Sequence, residues 1–360
     1  MPEKLKYLFF TADSLETFAR ELKRYYPDFD PSRFLSLVFE DTWPSLELKQ
    51  RMRHTTRCLH QTLPSDFNTA IAILKQAAPR ITGFEAMTLH DYVELYGQED
   101  LEASLQAIRY FNPFASGEFA IRPFLLQHPE PTMDFMLDCA NDADEKNRRF
   151  ASEGCRPRLP WAMALPAFKA DPSPILPILE KLKDDESEFV RKSVANNLND
   201  ISKDHPDLVL DVCESWKDQS PRTDWIIKRA CRTLLKAGNV RAMRLFGFGD
   251  PVNLSIEQLS FNVSRLRIGE DLVFSFDLLV KEPQPCKVRL EYSVDYVKAS
   301  GKRSIKMFQI SENTYNPGTV SITRKQTFQD MSTRKHVPGP HEIAIVVNGV
   351  EKARKTVTIE

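Results

Sequence analysis

FGFGDPVN, residues 246–253, separates two parts of the chain that have different hydrophobic periods. Before it, stretches such as SLETFARELKRYY (14–26) place apolar residues at i, i+3 and i+4, the spacing of an amphipathic helix. After it, stretches such as DLVFSFDLLV (271–280) alternate apolar and polar residues, which is typical of a β-strand. The sequence therefore predicts a multidomain α + β protein, with an all-α domain over residues 1–250 and an all-β domain over residues 251–360.

The predicted β-domain contains seven stretches with a period of two, a pattern typical of an immunoglobulin-like sandwich. RIGEDL (267–272) predicts a hairpin-like turn. Asn348-Gly349 predicts a second and stronger one, because this dipeptide tolerates the positive φ of a type I′ turn. The strands are predicted at SFNVSRLRI, DLVFSFDLLV, CKVRLEYSVDYV, SIKMFQI, GTVSITRKQTF, HEIAIVVNG and KARKTVTIE.

The helical part contains a weak internal repeat. Each copy has a proline near its start, an apolar helix, an acidic turn and a second helix with basic residues beside small ones. Pro129, Pro172 and Pro206 mark the three starts, and their separations of 43 and 34 residues lie around the period of HEAT-like helix pairs. Such pairs stack into a curved solenoid that binds through its concave face. We therefore expect the α-domain to be a HEAT-like solenoid.

Composition argues against several classes of protein. The chain has 360 residues, of which 42% are hydrophobic, and lacks the run of about eighteen apolar residues that indicates a transmembrane helix. Acidic residues interrupt the start, MPEKLKYLFFTADSLETF, where a secretory signal would continue its apolar run. We therefore expect a monomeric protein with no membrane association and a cytoplasmic location of the bacterial, nucleoid-associated type.

The cysteines and histidines are dispersed. Six cysteines form no CxxC pair and no regular spacing, which indicates reduced thiols rather than a disulfide framework. His54, Cys58 and His60 stand at possible ligand spacing, but a fourth ligand is missing. The sequence therefore predicts no metal ion and no other cofactor.

Basic residues are concentrated in the later helices. Residues 144–245 carry 19 Lys and Arg against 16 Asp and Glu, although the net charge of the chain is −1. Stacked in register, the second helices of the repeats would form a stripe of cations that fits the phosphates of a DNA backbone. The alternative is an ordinary solvated surface. The residues of the stripe are Arg148, Arg149, Arg191, Lys192, Lys228, Arg229 and Arg232.

Four stretches of the helical part carry a resemblance to a known family. They are NPFASGEFAIRPFL (112–125), RRFASEGCRPRLPW (148–161), FVRKSVANNLNDISKDHP (189–206) and WIIKRACRTLLKAGN (225–239). In this order, they resemble the AlkC family of DNA alkylation-repair glycosylases, which shares its HEAT-like repeats with the AlkD type. The β-domain resembles the immunoglobulin-like domain of one branch of that family, so the resemblance covers nearly the whole chain.

The resemblance implies a monofunctional glycosylase that removes 3-methyladenine and 3-methylcytosine from double-stranded DNA. It also implies that the damaged base is not turned into a deep pocket, in contrast to base-flipping glycosylases. By the same resemblance, the active-site carboxylates and tryptophan correspond to Glu118, Glu153, Asp200 and Trp161.

The chemistry accounts for these residue types. An N3-methylated base is a cation and leaves as a neutral molecule, so no general acid is needed. Positive charge then develops on the deoxyribose, as in glycosidases, and a carboxylate stabilises it and orients the attacking water. We assign this role to Asp200, electrostatic and hydrogen-bonding roles at the lesion to Glu118 and Glu153, and a π contact with the sugar or the cation to Trp161.

Other cations surround these acids. Arg148, Arg149, Arg156 and Arg158 flank Glu153 in RRFASEGCRPRLPW, and we expect them to hold the DNA backbone or to pair with neighbouring acids and keep them ionised. In the β-domain, a hairpin tip in ASGKRSIK (299–306) either clamps the DNA or is a solvated turn. Its cations are Lys302, Arg303 and Lys306.

Each site residue also has a structural interpretation. Glu118 fits the first turn of a helix, Glu153 an exposed last turn before the helix stop Gly154, Asp200 a capping position, and Trp161 the core at a helix start. For the whole protein, the alternative is a non-catalytic HEAT-like scaffold that binds damaged DNA or a protein partner. A glycoside-processing enzyme is disfavoured because the β-domain lacks an aromatic-rich sugar platform.

Overall fold

The computed structural model describes residues 5–331 and 335–360, which form two compact units. One contains residues 5–205 and 216–230, and the other contains residues 206–215 and 231–360. Within the described residues, the last α-helix ends at Leu245 and the first strand begins at Leu254, so the predicted α + β class is confirmed. The domain boundary at 250/251 remains a prediction. Residues 1–4 of the predicted α-domain lie outside the described part.

The helices begin at side chains that accept hydrogen bonds from free backbone amides. Asp30, Asp66, Asp100 and Asp144 each occupy the N-cap position and accept such a bond. The helices are α1 (Ala12–Tyr25), α2 (Pro31–Val38), α3 (Leu48–His60), α4 (Phe67–Ala77), α5 (Met87–Tyr96), α6 (Leu101–Phe111), α7 (Ile121–Gln127), α8 (Pro129–Cys139), α9 (Glu145–Gly154), α10 (Pro166–Ala170), α11 (Leu176–Leu182), α12 (Glu188–Ile201), α13 (Pro206–Trp216), α14 (Pro221–Ala230), α15 (Arg232–Lys236) and α16 (Val240–Leu245).

All three predicted repeats contain two successive helices. Pro129 and Pro206 are the first residues of α8 and α13, where a proline loses no helical hydrogen bond, and Pro172 lies shortly before α11. The second helices of the repeats are α9, α12 and α14. Helix α12 packs against both α9 and α14, so side chains on neighbouring second helices can meet.

Gly154 ends helix α9, but not by adopting a left-handed conformation. The C-cap residue, Cys155, has φ −89°. A Cβ atom on Gly154 would lie 2.8 Å from Met136 Cε and 2.9 Å from Ile121 Cγ2. The predicted helix stop is therefore a glycine because the end of α9 packs closely against α7 and α8.

Gly154→Ala is expected to lower the free energy of unfolding by about 1–3 kcal/mol, the usual cost of overpacking a closed core. The better helix propensity of alanine offsets only part of this loss. Gly249→Ala is the matched control, because a Cβ atom there has no neighbour within 4 Å. Denaturant unfolding measures both variants, and equal stability of the two would contradict the packing argument.

The second unit contains a sandwich of two sheets with one shared apolar core. One sheet has the strand order β1-β3-β6 and the other β2-β8-β7-β4-β5, and all pairings are antiparallel except that of β2 with β8. The strands are β1 (Leu254–Phe261), β2 (Arg265–Leu266), β3 (Asp271–Val280), β4 (Cys286–Val297), β5 (Arg303–Tyr315), β6 (Gly318–Thr327), β7 (Gly339–Val347) and β8 (Val350–Ile359).

Two details of the predicted sandwich were wrong. The stretch predicted as its first strand, residues 260–268, contains only the end of β1 and the two-residue strand β2. The alternation in β1 is broken by a register shift near Gln258, whose φ is +54°. RIGEDL forms a turn, but the turn passes from one sheet to the other and joins no hairpin.

Asn348 and Gly349 do form the predicted hairpin turn, with φ +46° and +81°.

The thiols and histidines have local roles. All six cysteines are free, and five of them are buried, as predicted for reduced thiols. His54 lies 3.1 Å from the carbonyl oxygens of Leu37 and Val38, whereas His60 stacks on Tyr96. The described residues contain no cluster of three or more potential metal ligands. They also contain no helix long and apolar enough to cross a membrane.

Candidate active site

A continuous row of alternating charges joins the three predicted carboxylates. Arg149 lies 3.0 Å from Glu118 and 3.3 Å from Glu153. Arg156 lies 2.7 Å from Glu153 and 2.8 Å from Asp200. Carboxylates and arginines therefore alternate along the row. We call these five residues the charge network: Glu118, Arg149, Glu153, Arg156 and Asp200.

The network has polar side chains at its edges. Ser116 accepts a hydrogen bond from Arg149 at 2.6 Å, and Ser193 donates one to Glu153 at 2.6 Å. Lys203 extends the row, because its Nζ atom lies 2.9 Å from Asp200 Oδ1. Both oxygens of Asp200 therefore face a cation: Arg156 on one side and Lys203 on the other.

Helical spacing explains why these side chains meet. Arg149 and Glu153 stand four residues apart on one face at the end of α9, and Arg156 follows Glu153 by three residues just beyond the helix. Asp200 lies near the end of α12, the neighbouring second helix, and Ser193 precedes it by seven residues on the same face. The packing of α9 against α12 brings the two faces together.

The acids of the network are buried. The side chains of Glu118, Glu153 and Asp200 are 14%, 8% and 4% exposed. Buried carboxylates are costly unless cations and hydrogen bonds compensate them, and here two arginines do so. Burial alone would lower the pKa of Arg156, but the charges of Glu153 and Asp200 outweigh it and raise that pKa above its ordinary value. The network thus holds fixed charges of both signs.

These positions exclude the structural alternatives for the acids. Glu118 lies in the turn before α7 rather than in its first turn, because the N-cap of α7 is Ala120. Glu153 is in the last turn of α9, as expected, but is buried. Asp200 lies within α12 and bonds to Arg156 and Lys203 through its side chain instead of capping a turn.

Trp161 lies on the tryptophan loop, residues 155–165, which connects α9 to α10. Its side chain is 67% exposed, so the core interpretation is wrong. No helix begins beside it, because α10 starts only at Pro166. Its φ of +65° is rare for a bulky residue, and Lys49 donates a hydrogen bond of 2.8 Å to its carbonyl oxygen. The indole is therefore presented at the surface by a constrained backbone.

The loop that carries Glu118 is anchored by a buried histidine. His90 Nε2 lies 2.7 Å from the carbonyl oxygen of Ala115. Asn112 accepts a hydrogen bond of 3.0 Å from the amide of Gly117, and a Cβ atom on Gly117 would lie 2.9 Å from the His90 ring. Burial lowers the pKa of His90 to about 4, so the ring is neutral at physiological pH.

His90 is expected to make stability depend on pH. Its folded pKa of about 4 lies below the ordinary value of 6.5, so between these values the unfolded chain binds a proton that the folded chain does not. Stability therefore falls as the pH drops from about 6.5 to 4, by up to about 3 kcal/mol. Unfolding of the wild type and of His90→Gln across this range measures the effect. If both lose the same free energy, the assignment to His90 is wrong.

Two arginines of the predicted cationic stripe have structural contacts. Arg148 donates to both carboxylate oxygens of Asp185 and to the carbonyl oxygens of Asp142 and Ala143. Arg191 donates in the same way to the carbonyl oxygens of residues 185 and 186, in the turn before its own helix. Both arginines therefore bind the acidic turns that precede their helices. These contacts favour a structural role, and phosphate binding by Arg148 and Arg191 stays a prediction.

The remaining helical cations differ in accessibility. Lys192 is 49% exposed and pairs with Glu188, and Arg158 is 35% exposed and forms a two-bonded pair with Asp204. Arg149 and Arg156 belong to the charge network. Among the other predicted DNA contacts, Arg229 is exposed and lies over the Trp225 ring, while Lys228 and Arg232 are half-buried.

The predicted tip of the β-domain is a turn between β4 and β5. Lys302, Arg303 and Lys306 are all exposed there. Arg303 bonds to Asp295 at 3.0 Å, and Lys306 lies over the Phe308 ring. The turn therefore presents positive charge to solvent, as both interpretations of this segment require.

Sequence reasoning missed several members of the site. Ser193 and Lys203 lie seven residues before and three residues after Asp200, so helical spacing alone could have placed them on its face. The contact of Lys49 with Trp161 joins segments 112 residues apart, and no local signal predicts it. The acidic turn five to six residues before Arg148 and Arg191 is a repeated signal that indicates their structural role.

Comparisons with known proteins identify the family. The family model of DNA alkylation repair enzymes matches residues 79–234, and that of the C-terminal Ig-like domain of the uncharacterised protein YhaZ matches residues 255–360. The Bacillus subtilis (strain 168) protein named "Uncharacterized protein YhaZ" is 47% identical over 328 residues, 91% of each chain. The structure of Pseudomonas fluorescens alkylpurine DNA glycosylase AlkC, bound to DNA containing an abasic site analog, matches with a TM-score of 0.95. The match is 39% identical and covers 99% of this chain and 100% of the AlkC chain.

The chain belongs to the AlkC family. The resemblance found in the sequence is thereby confirmed, including the branch with the immunoglobulin-like domain. This AlkC family member is a DNA glycosylase, and its partner is DNA.

Proposed function

We propose that this AlkC family member hydrolyses the N-glycosidic bond of cationic N3-alkylated bases, 3-methyladenine and 3-methylcytosine, in double-stranded DNA. The charge network carries the proposal. It holds three carboxylates within one row of ion pairs, in a part of the chain matched by the model of DNA alkylation repair enzymes. A row of fixed negative charges suits a substrate whose lesion and transition state are both positive.

The network contains no good proton donor. Arginine does not lose its proton at neutral pH, and the three acids are paired with cations. A cationic base needs no proton to leave, whereas a neutral base does. The pairing of all three carboxylates with cations therefore favours a cationic substrate. Charge stabilisation and water positioning remain as the contributions of the network.

Asp200 is proposed to stabilise the positive sugar and to position the attacking water. Its Oδ2 atom is held by Arg156, which is almost completely buried. Its Oδ1 atom is held by Lys203, whose side chain is 40% exposed. A DNA phosphate can compete for the Lys203 ammonium and leave Oδ1 to the sugar and the water. Glu118 and Glu153 add negative potential at the lesion.

Trp161 is proposed to contact the sugar or the cationic base through its π face, an interaction worth about 0.5–2 kcal/mol. Because its indole is 67% exposed, it meets DNA at the surface of the protein. This exposure supports excision without rotation of the damaged base into a deep pocket.

The exposed cations are proposed to bind the DNA backbone. Lys302, Arg303 and Lys306 form one such group, and Lys192 and Arg229 form another. Contacts of this kind release counterions, so affinity should fall as the salt concentration rises.

Lys302→Ala is expected to weaken binding to duplex DNA and to reduce the slope of log K against log salt by about one. The physical reason is the loss of one phosphate contact. Lys325→Ala is the control, because Lys325 lies on the other sheet and pairs with Asp271. Binding titrations at several salt concentrations measure both, and equal slopes for the two variants would make the turn a solvated surface.

Three further properties complete the proposal. The enzyme is monofunctional, since strand cleavage needs an amine nucleophile, and Lys203, the amine beside Asp200, is paired with an anion both in the free protein and when a DNA phosphate replaces Asp200. It acts as a monomer. It acts in the cytoplasm on the nucleoid, where the proposed substrate lies.

The test is the release of free bases from methylated duplex DNA, separated by chromatography. The proposal predicts 3-methyladenine and 3-methylcytosine among the products and an intact strand until alkali is added. Asp207→Asn, a change of an 86% exposed acid, is a control that should leave the product pattern unchanged. A folded protein that binds DNA in a salt-dependent way but releases neither base would overturn the proposed substrates.

A further inference from the structure

Arg122 is a fully buried arginine that bonds to backbone carbonyl groups. Its Nη1 atom donates to the carbonyl oxygens of Gly154 and Arg156, both at 3.0 Å, and its Nε atom donates to that of Met163 at 2.6 Å. Its side chain lies on α7 and has no solvent exposure. One guanidinium therefore holds the start and the end of the tryptophan loop together.

The tryptophan loop joins two members of the site. Arg156, which bonds to Asp200, lies at its start, and Trp161 lies at its middle. The loop has little regular structure of its own, since its internal backbone bonds are those from Ala162 to Leu159 and from Leu165 to residue 157, both 3.3 Å. Its conformation must therefore come from contacts with the rest of the first unit.

Burying this guanidinium is costly, which indicates that it has a task beyond filling space. Burial lowers the pKa of Arg122 to about 10, so the group remains a cation at neutral pH. An apolar side chain would fill the same volume without that cost. Only the planar fork of arginine supplies several donors in a fixed geometry, which suits three carbonyl groups, one at the end of α9 and two in the tryptophan loop.

We propose that Arg122 is a positioning residue for the glycosylase site. It fixes the tryptophan loop, which carries both Arg156, the partner of Asp200, and the exposed Trp161 with its left-handed backbone. Lys49 supports the same loop from its outer side through the carbonyl oxygen of Trp161. The inference rests on the proposed function for its effect on rate, but its structural claim does not depend on that function.

The structural claim is tested by limited trypsin digestion. Within the tryptophan loop, the bond after Arg158 is the one that trypsin can cut, because Pro157 follows Arg156. Leu159, on the other side of that bond, is buried. Arg122→Lys keeps the charge but loses the fork, and we expect this bond to be cut at least tenfold faster, an estimate for local opening. Arg289→Lys, the same change at a buried arginine of the β-sandwich, should leave it unchanged.

The functional claim is tested by a double-mutant cycle. Arg122→Lys should lower the single-turnover rate of 3-methyladenine release by about 10- to 30-fold, the upper range of the contribution proposed for the Trp161 contact. If Arg122 acts through Trp161, the same change in a Trp161→Ala background should cost less than about threefold. A residue that only stabilises the fold would show the full loss in both backgrounds.

The outcomes separate the two claims. Faster cutting after Arg158 and a coupled loss of rate support the proposal. An unchanged cutting rate, or equal losses in both backgrounds, would overturn it. Failure of both Arg122→Lys and Arg122→Gln to fold would show a role in stability alone and would also overturn it. If the wild type released no base, the proposed function would fail, while the trypsin result would still decide whether Arg122 orders the loop.

Discussion

Asp200→Asn is expected to lower the single-turnover rate of 3-methyladenine release by about 10²- to 10³-fold. This is the usual loss when one preorganised electrostatic group is removed from an active site. Asn has almost the shape of Asp and can still accept the hydrogen bond from Arg156, so the charge is the main change. Without that charge, the positive sugar loses its stabilising partner and the attacking water its acceptor.

The rate must be compared at equal DNA occupancy. Removing a negative charge should not weaken binding to the phosphate backbone, so Asp200→Asn is expected to bind duplex with an abasic site at least as tightly as the wild type. Asp207→Asn is the matched control, because this acid is 86% exposed. A rate within threefold of the control would remove Asp200 from the chemistry.

Arg156→Met is expected to lower the free energy of unfolding by about 3–5 kcal/mol. This is the usual result of removing one partner from buried ion pairs. Arg156 separates Glu153 from Asp200, and all three side chains are less than a tenth exposed. Without the guanidinium, two buried negative charges remain without the cation between them. The excision rate should fall as well, because both acids lose their orientation.

A rescue experiment separates charge balance from packing. In the Arg156→Met background, Glu153→Gln and Asp200→Asn together should recover much of the stability but none of the excision rate. Arg241→Met is the control, because Arg241 forms its ion pairs at the surface, where a much smaller loss is expected. Denaturant unfolding gives the stabilities. No recovery in the triple variant would show that the loss arises from packing.

Much of the architecture could be predicted because it depends on local patterns. The change of hydrophobic period near residue 250 marks the passage from helices to strands, and the prolines mark the helix pairs. Asn348-Gly349 forms the expected hairpin, because few other dipeptides accept two positive φ angles. The first strand was misplaced because the bulge near Gln258 interrupts the alternation on which the prediction depends.

The site was less predictable, because its contacts join distant segments. Resemblance to the family indicated Glu118, Glu153 and Asp200, and the structure brings them into one network, but local spacing alone also suited helix-end roles for Glu118 and Asp200. Those roles fail because α9 and α12 pack side by side and pair the acids with arginines. Helical spacing placed Arg148 and Arg191 on the second helices, yet it could not show that they bind the acidic turns.

The most direct measurement of the central claim is the single-turnover release of base from two duplexes that differ in the charge of the lesion. One contains cationic 3-methyladenine and the other contains uracil, a neutral base that leaves as an anion unless a proton donor neutralises it. The account predicts that the wild-type protein releases 3-methyladenine and no uracil, because the charge network supplies negative charge but no proton. Release of uracil at a comparable rate, or no release of 3-methyladenine by folded and DNA-bound protein, would contradict it.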